Sequence, residues 1–190
     1  MPFCLMLLCL SSSSQKMNEE ETKLRSSADF SSFLSAVKNN NTKGCLCKSN
    51  EFVVFSFSTK ANKTASLCVT KKITTTSGYL IYRFGTKAKN ELTFPSDTLN
   101  SFSQFSFAHY NRGGGKQNAA MNINSFRFTN GGYTYTLYEN WNSEDDRYSK
   151  GIIAENNKTS KNTTINAKVK VIGSLYPFTY TNMVTESDEL

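Results

Sequence analysis

One histidine, five cysteines and one tight acidic run hold most of the catalytic potential of this 190-residue chain. His109, in FAHYNRGGGK, is the sole imidazole, and a general base there needs a nucleophile and an orienting acid that no local motif identifies. Glu144, Asp145 and Asp146, in NSEDDR, bring three carboxylates together. Successive residues of a turn point in different directions, which suits a solvated loop better than a metal clamp or an acid/base pair. Cys45-Leu46-Cys47, with a single histidine elsewhere, makes a poor zinc site. RGGGK, Arg112 to Lys116, has the glycines and lysine of a phosphate loop but lacks the G-x-x-x-x-G-K-[ST] spacing and a following helix. These residues point away from an enzyme, a bound metal and a cofactor, with a hydrolase centred on His109 as the remote alternative.

Binding chemistry is better represented. The turn Gly113, Gly114, Gly115 lets a partner approach closely, because glycines remove side-chain bulk and permit unusual backbone angles. Its flanks Arg112 and Lys116 are basic, and Tyr110, Arg112 and Trp141 are of the types favoured as interface anchors. The formal charge is +7, and between residues 45 and 180 it rises to +9, from 17 Lys and Arg against 8 Asp and Glu. An anionic or protein partner fits that balance. Many lysines fall in turns, however (Lys60, Lys63, Lys71, Lys72, Lys87, Lys89), where they also serve solubility. Nucleic acid is disfavoured: FRFTNGGYTYTLY sets Arg127 between two phenylalanines but does not match the RNA-recognition pattern.

These residues must be positioned by strands. EFVVFSFST, TASLCVT, GYLIYRFG, ELTFP, FSFAHY, FRFTNGGYTYTLY, KGIIAEN and TTINAKVKVI recur with turn signals between them. That spacing predicts an all-β fold, an antiparallel β-sandwich or barrel of about 8 short strands, preceded by a short helix. Asn130-Gly131 signals a type I′ hairpin, with Gly132 allowing a three-residue variant. Alternation gathers Tyr133, Tyr135 and Leu137 on one face and Thr134, Thr136 and Tyr138 on the other. Phe126, Phe128 and one tyrosine stripe are expected in the core, with Tyr138 or Trp141 exposed. Upstream, Phe30, Phe33, Leu34 and Val37 have helical spacing, with Ser27 or Asp29 as the cap. Four segments result: 1–16, a signal-like start with the apolar run Phe3 to Leu10; 17–44, a helix or linker; 45–180, the β-domain; and 181–190, a tail. No run reaches the ~18 to 20 apolar residues of a membrane span.

Ser66-Leu67-Cys68, GYLIYRFG, ELTFP, RGGG, FRFTNGGYTYTLY and KGIIAE occur in an order that resembles a family of small secreted proteins of Gram-negative bacteria, with an S-x-C, G-Y-x-x-Y-R-F-G, Gly-rich and F-x-x-G-x-Y-x-Y pattern. The resemblance spans Cys47 to about Lys170 and implies export to the periplasm or beyond, and a β-domain. It supplies no catalytic residues. Members carry cysteine where this chain has Phe57, and again near Ala167 and Lys168, so one family bridge is missing here. Cys68 then pairs with Cys45 or Cys47, the Cys47 bridge being favoured, in a compartment where disulfides persist. Together these readings lead to an exported, non-enzymatic β-domain that binds another macromolecule of the cell envelope. Its sharper form is an inhibitor or immunity-type protein against a toxin or wall hydrolase; the rival is a module for anionic glycan or lipid headgroups.

Overall fold

The computed structural model describes residues 30–74, 77–168, 170–188 and 190. The signal-like start and the proposed helix caps lie outside them. A helix over residues 30–37 (α1) is followed by β1 Glu51–Ser58, β2 Thr64–Thr70, β3 Leu80–Gly85, β4 Asn90–Phe94, β5 Ser106–Arg112, β6 Met121–Asn130, β7 Tyr133–Asn142, β8 Arg147–Asn156, β9 Asn162–Asn166, β10 Val171–Gly173 and β11 Thr185–Glu186. Two 3-10 turns, Ser101–Gln104 and Tyr176–Tyr180, interrupt them. The first sheet (A) has the order β10-β1-β2-β3-β4, and the second (B) the order β11-β5-β6-β7-β8-β9. All described pairings are antiparallel except that of β11 with β5.

Aromatic residues join the sheets. Phe55, Phe57, Leu67, Leu80 and Tyr82 from sheet A meet Phe107, Phe126, Phe128, Leu137 and Ile152 from sheet B in one buried cluster. Phe94 stacks on Phe128 with centroids 4.6 Å apart, and Tyr82 lies 5.0 Å from the same ring. Fully burying such side chains contributes about 1.5–3 kcal/mol each, which makes this layer the main source of stability.

The hairpin turns one residue later than its sequence suggests. Asn130 pairs with Tyr133, so the two-residue loop is Gly131-Gly132, and both have positive φ, 59° and 79°, as a type I′ turn requires. That register sets Phe126 against Leu137 and Phe128 against Tyr135, which turns the Tyr133, Tyr135, Leu137 stripe inward. Tyr138 therefore points to the outer face, yet it is buried: it lies over Gly151, and its hydroxyl donates to Asn166 Oδ1 at 2.6 Å. Exposure was expected of it or of Trp141; the bare glycine opposite removes the side chain that would have lifted the Tyr138 ring into solvent.

Residues 30–44 and the described part of the tail belong to the domain. Phe33 and Val37 of α1 are wholly buried, with Phe33 packed 5.0 Å from Phe178. The tail contributes β11 and the buried Val184. Residues 38–50 cross the outer face of sheet A, which is why Ser66, Cys68 and Arg83 there are buried rather than wet. This strap is tied by Asn40 Nδ2 donating to the Val53 carbonyl (2.7 Å), by Leu46 N donating to Ser66 Oγ (2.9 Å) and by the Cys47–Cys68 disulfide.

Candidate functional site: the Trp141 end of sheet B

One end of sheet B gathers most of the residues singled out for binding. Arg112 is opposite Met121, Met121 opposite Asn142, and Asn142 opposite Arg147, so the loop 113–120 and the turn 143–146 emerge side by side. They are stitched together: Ser143 N donates to the Ala120 carbonyl (2.9 Å), and Ala120 N donates to Ser143 Oγ (2.8 Å). Gly113, Gly114, Gly115 and Lys116 are exposed in that loop. None of the three glycines adopts a positive φ. Their contribution is room rather than unusual backbone angles: an added Cβ meets nothing at Gly113 or Gly115 and Ala120 at 3.3 Å at Gly114.

The predicted set divides at Arg112 and Tyr110. Arg112 Nε donates to the Ala119 carbonyl at 3.1 Å, so this cation closes its own loop. Tyr110 shares a register row with Ile123 and projects from the outer face, on the other side of the sheet from Trp141. Trp141 is half-buried, its indole N–H donating to Asp146 Oδ1 at 3.0 Å. The acidic run is turn chemistry: Asp145 pairs with Arg147 at 3.0 Å, both exposed, and Glu144 N bonds Asn142 Oδ1.

The inner face of sheet B continues past the core and changes character. Phe126 and Phe128 are followed along β6, toward its start, by Asn124 and Asn122; Tyr135 and Leu137 are followed along β7 by Glu139 and Trp141. Tyr148 stands opposite Trp141, with centroids 6.2 Å apart and planes tilted by 37°. Across from them runs the segment 174–176. Asn122, Asn124, Glu139, Trp141, Tyr148 and Tyr176 border a cleft of about 190 Å³.

Glu139 anchors the cleft. One oxygen takes Lys150 Nζ (2.5 Å), and the other accepts from Ser174 Oγ and Leu175 N, both at 2.6 Å. Charge-assisted bonds of this kind fix a segment firmly, so Glu139 holds the 174–176 wall in place. Asn124 is 2% exposed, and its Nδ2 donates to Asn122 Oδ1 and to the Glu139 carbonyl. Its Oδ1 has no hydrogen-bond partner among the described residues.

Asn122, Asn124, Glu139, Tyr148 and Tyr176 were not foreseen from sequence. A signal existed in NINSFRF and YTYTLYENW: in both, an apolar every-second-residue stripe turns polar at the same register level, marking where core gives way to cleft. His109 is exposed beside Asn124 in register, and Phe107 is its ring neighbour at 6.4 Å. Cys47 and Cys68 Sγ lie with a Glu51 oxygen within 4.8 Å, a metal-like spacing. The sulfurs are bonded to each other, and the carboxylate is bonded to Arg83, so that cluster serves the scaffold.

A larger cleft of about 720 Å³ lies between the 97–102 segment and residues 181–183, with Phe30 and Tyr79 on its wall. It borders chain outside the described residues, and its polar lining, Thr74, Ser77, Asp97, Asn100, Thr181 and Asn182, comes from turns and loops rather than from strands. No known protein family, no curated protein and no solved structure matches the chain.

Proposed function

We propose that the protein is an exported, non-enzymatic β-domain that binds another macromolecule of the cell envelope through the Trp141 end of sheet B. The inhibitor or immunity-type role, and membership of the secreted family that the motifs resemble, belong to this reading. The observation that carries it is the stitching of the glycine-rich loop to the Trp141 turn, which presents room, exposed rings and a hydrogen-bonding cleft at one edge. A small disulfide-tied scaffold suits an oxidising compartment. Both oxygens of Glu139 are engaged, one by Lys150 and the other by the 174–176 wall, which favours a positioning role for it over acid/base work.

The test compares immobilised wild-type protein with Trp141→Ala and Lys116→Glu in retaining envelope components. Arg112 is left alone because it closes the loop. A partner held by the wild type should be lost at least about tenfold by Trp141→Ala with the melting temperature unchanged, as expected of an interface anchor. Retention indifferent to both substitutions would sink the proposal.

A second reading, a module for anionic glycan or lipid headgroups, is favoured by a different place. Ser58 pairs with Thr64, Thr64 with Gly85 and Gly85 with Asn90, so the β1–β2 and β3–β4 turns share one end of sheet A. Lys60, Lys63, Lys87 and Lys89 therefore cluster, and Lys168 joins them through its N–H to the Ser58 carbonyl (2.7 Å).

A further inference from the structure

The cleft at the Trp141 end has a chemistry more specific than a contact surface. We infer that it is a subsite for one pyranose ring of a neutral glycan, an inference that rests on the reading of this end of sheet B as the binding surface.

Three observations converge. Asn124 Oδ1 is an acceptor inside the cleft wall with no partner among the described residues. Leaving such a group unmet is unfavourable, and because the atom is buried behind the wall, a ligand hydroxyl meets it once the Asn124 amide turns toward the cleft. The rings beside it have no core to fill: Tyr148 is 65% and Tyr176 40% exposed. Aromatic faces of this kind take the C–H face of a sugar ring while leaving its hydroxyls to polar groups. The volume, about 190 Å³, is below the ~300–1,000 Å³ of pockets for drug-sized ligands, which fits one ring of a longer chain continuing along the open edge.

Charge decides between ligand classes. Glu139 is neutralised by Lys150 within the cleft. At this end Arg112, Lys116, Arg147 and Lys150 are matched in number by Glu139, Glu144, Asp145 and Asp146, so it carries no excess of either sign. A nucleic acid or a polyanionic glycan draws its affinity from net positive charge, which this end lacks. A neutral, hydroxyl-rich ring with an apolar face matches what the cleft offers.

Trp141 is the only tryptophan, so its fluorescence and its indole N–H resonance report on this cleft alone. The full-length mature protein is titrated with methyl glucosides, galactosides and mannosides, and with N-acetylglucosamine and its β-1,4 dimer. At least one should shift the Trp141 signals saturably, the dimer more tightly than its monomer. Tyr148→Ala, which removes an exposed ring, should weaken that binding about tenfold, the size of one good aromatic contact. Asn124→Leu should abolish it; if that variant unfolds, Tyr148→Ala carries the test alone. A uronic acid should bind no better than its neutral parent. Silence of Trp141 toward every sugar overturns the inference, as does a preference of tenfold or more for the uronic acid, or a shift produced by a protein or peptide instead. Should sugars fail while Trp141→Ala still abolishes capture of a protein partner, the sugar subsite falls and the binding end stands; if both fail, both fall.

Discussion

Glu51 is fully buried on the outer face of sheet A, yet it carries its charge. Burial pushes its carboxyl up, but the Arg83 hydrogen bonds, the Lys48 amide and the Arg83 charge outweigh that and hold it below its ordinary 4.5. Arg83 meets both oxygens, at 2.7 and 2.8 Å, while Tyr79 and Lys48 N complete the set. Removing one member of such a pair strands the other, whereas replacing both with apolar groups does not. Arg83→Met should therefore cost about 3–5 kcal/mol by urea unfolding, and Glu51→Leu combined with Arg83→Met distinctly less; equal losses would refute a stranded charge. Because the folded pKa is depressed, the contribution of Glu51 is complete above the ordinary carboxyl range and is lost as pH falls through the folded value, below 4.5. Stability should thus decline below pH 4.5 in wild type, with that part of the decline absent from the double variant. The nearby disulfide closes a separation of 21 residues and contributes about 3 kcal/mol. Peptide mapping should join Cys47 to Cys68, and the buried Cys45 should react with alkylating reagents only after unfolding.

Strand identity was largely legible because alternation survives in the chain. What remained hidden depends on contacts between distant segments. TTINAKVKVI reads as one strand but divides into β9 and β10, which join different sheets; no local pattern encodes a crossing between layers. β11 is two residues long and adds to β5 in parallel, too short for any periodicity. The cleft combines residues of β6, β7 and β8 with the wall at 174–176, so its far side could not be read from the hairpin. Gly151 shows how one residue sets an element. A Cβ there would lie 2.5 Å from the Ile165 carbonyl and 2.6 Å from the Tyr138 hydroxyl. Gly151→Ala must push β9 or the ring away, and about 1–3 kcal/mol should be lost, as for an overpacked core. Calorimetry should show that loss, with faster amide exchange across β9; Gly131→Asn, at an αL turn position that Asn tolerates, should leave stability within about 0.5 kcal/mol.

Across the whole molecule, charge and rings are placed at separate sites. Sequence counting shows a basic chain but treats its turn lysines as scattered; pairing brings four of the six to one end of sheet A, while Lys71 follows β2 at its opposite end. The glycine-loop end, with its basic flanks Arg112 and Lys116, is balanced by its own acids. The proposed export bears on both ends, since each is proposed to meet an extracytoplasmic partner; expression in a Gram-negative host should release a periplasmic form shortened by roughly 14–20 residues, and intact Met1 in the cytoplasm would contradict it. The two ends can then be told apart by salt. Lys63 is partly used, paired to Glu91 at 2.6 Å and lying 5.7 Å over the Phe84 ring, but Lys60, Lys87 and Lys89 are exposed on turns. Each lysine near an anionic surface contributes about 1 kcal/mol, so Lys60→Gln, Lys87→Gln and Lys89→Gln together should weaken binding to anionic vesicles by about two orders of magnitude. Turn lysines contribute little to stability, so the melting temperature should hold. Raising salt should mimic the triple variant, because exposed charges are screened beyond a Debye length of about 8 Å. Lys116→Gln should leave vesicle binding unchanged, and the Trp141 response to a neutral sugar should be insensitive to salt. Vesicle binding that survives the triple substitution, or that fails with Lys116→Gln alone, would move the anion-binding surface back to the glycine loop and make the two ends one site.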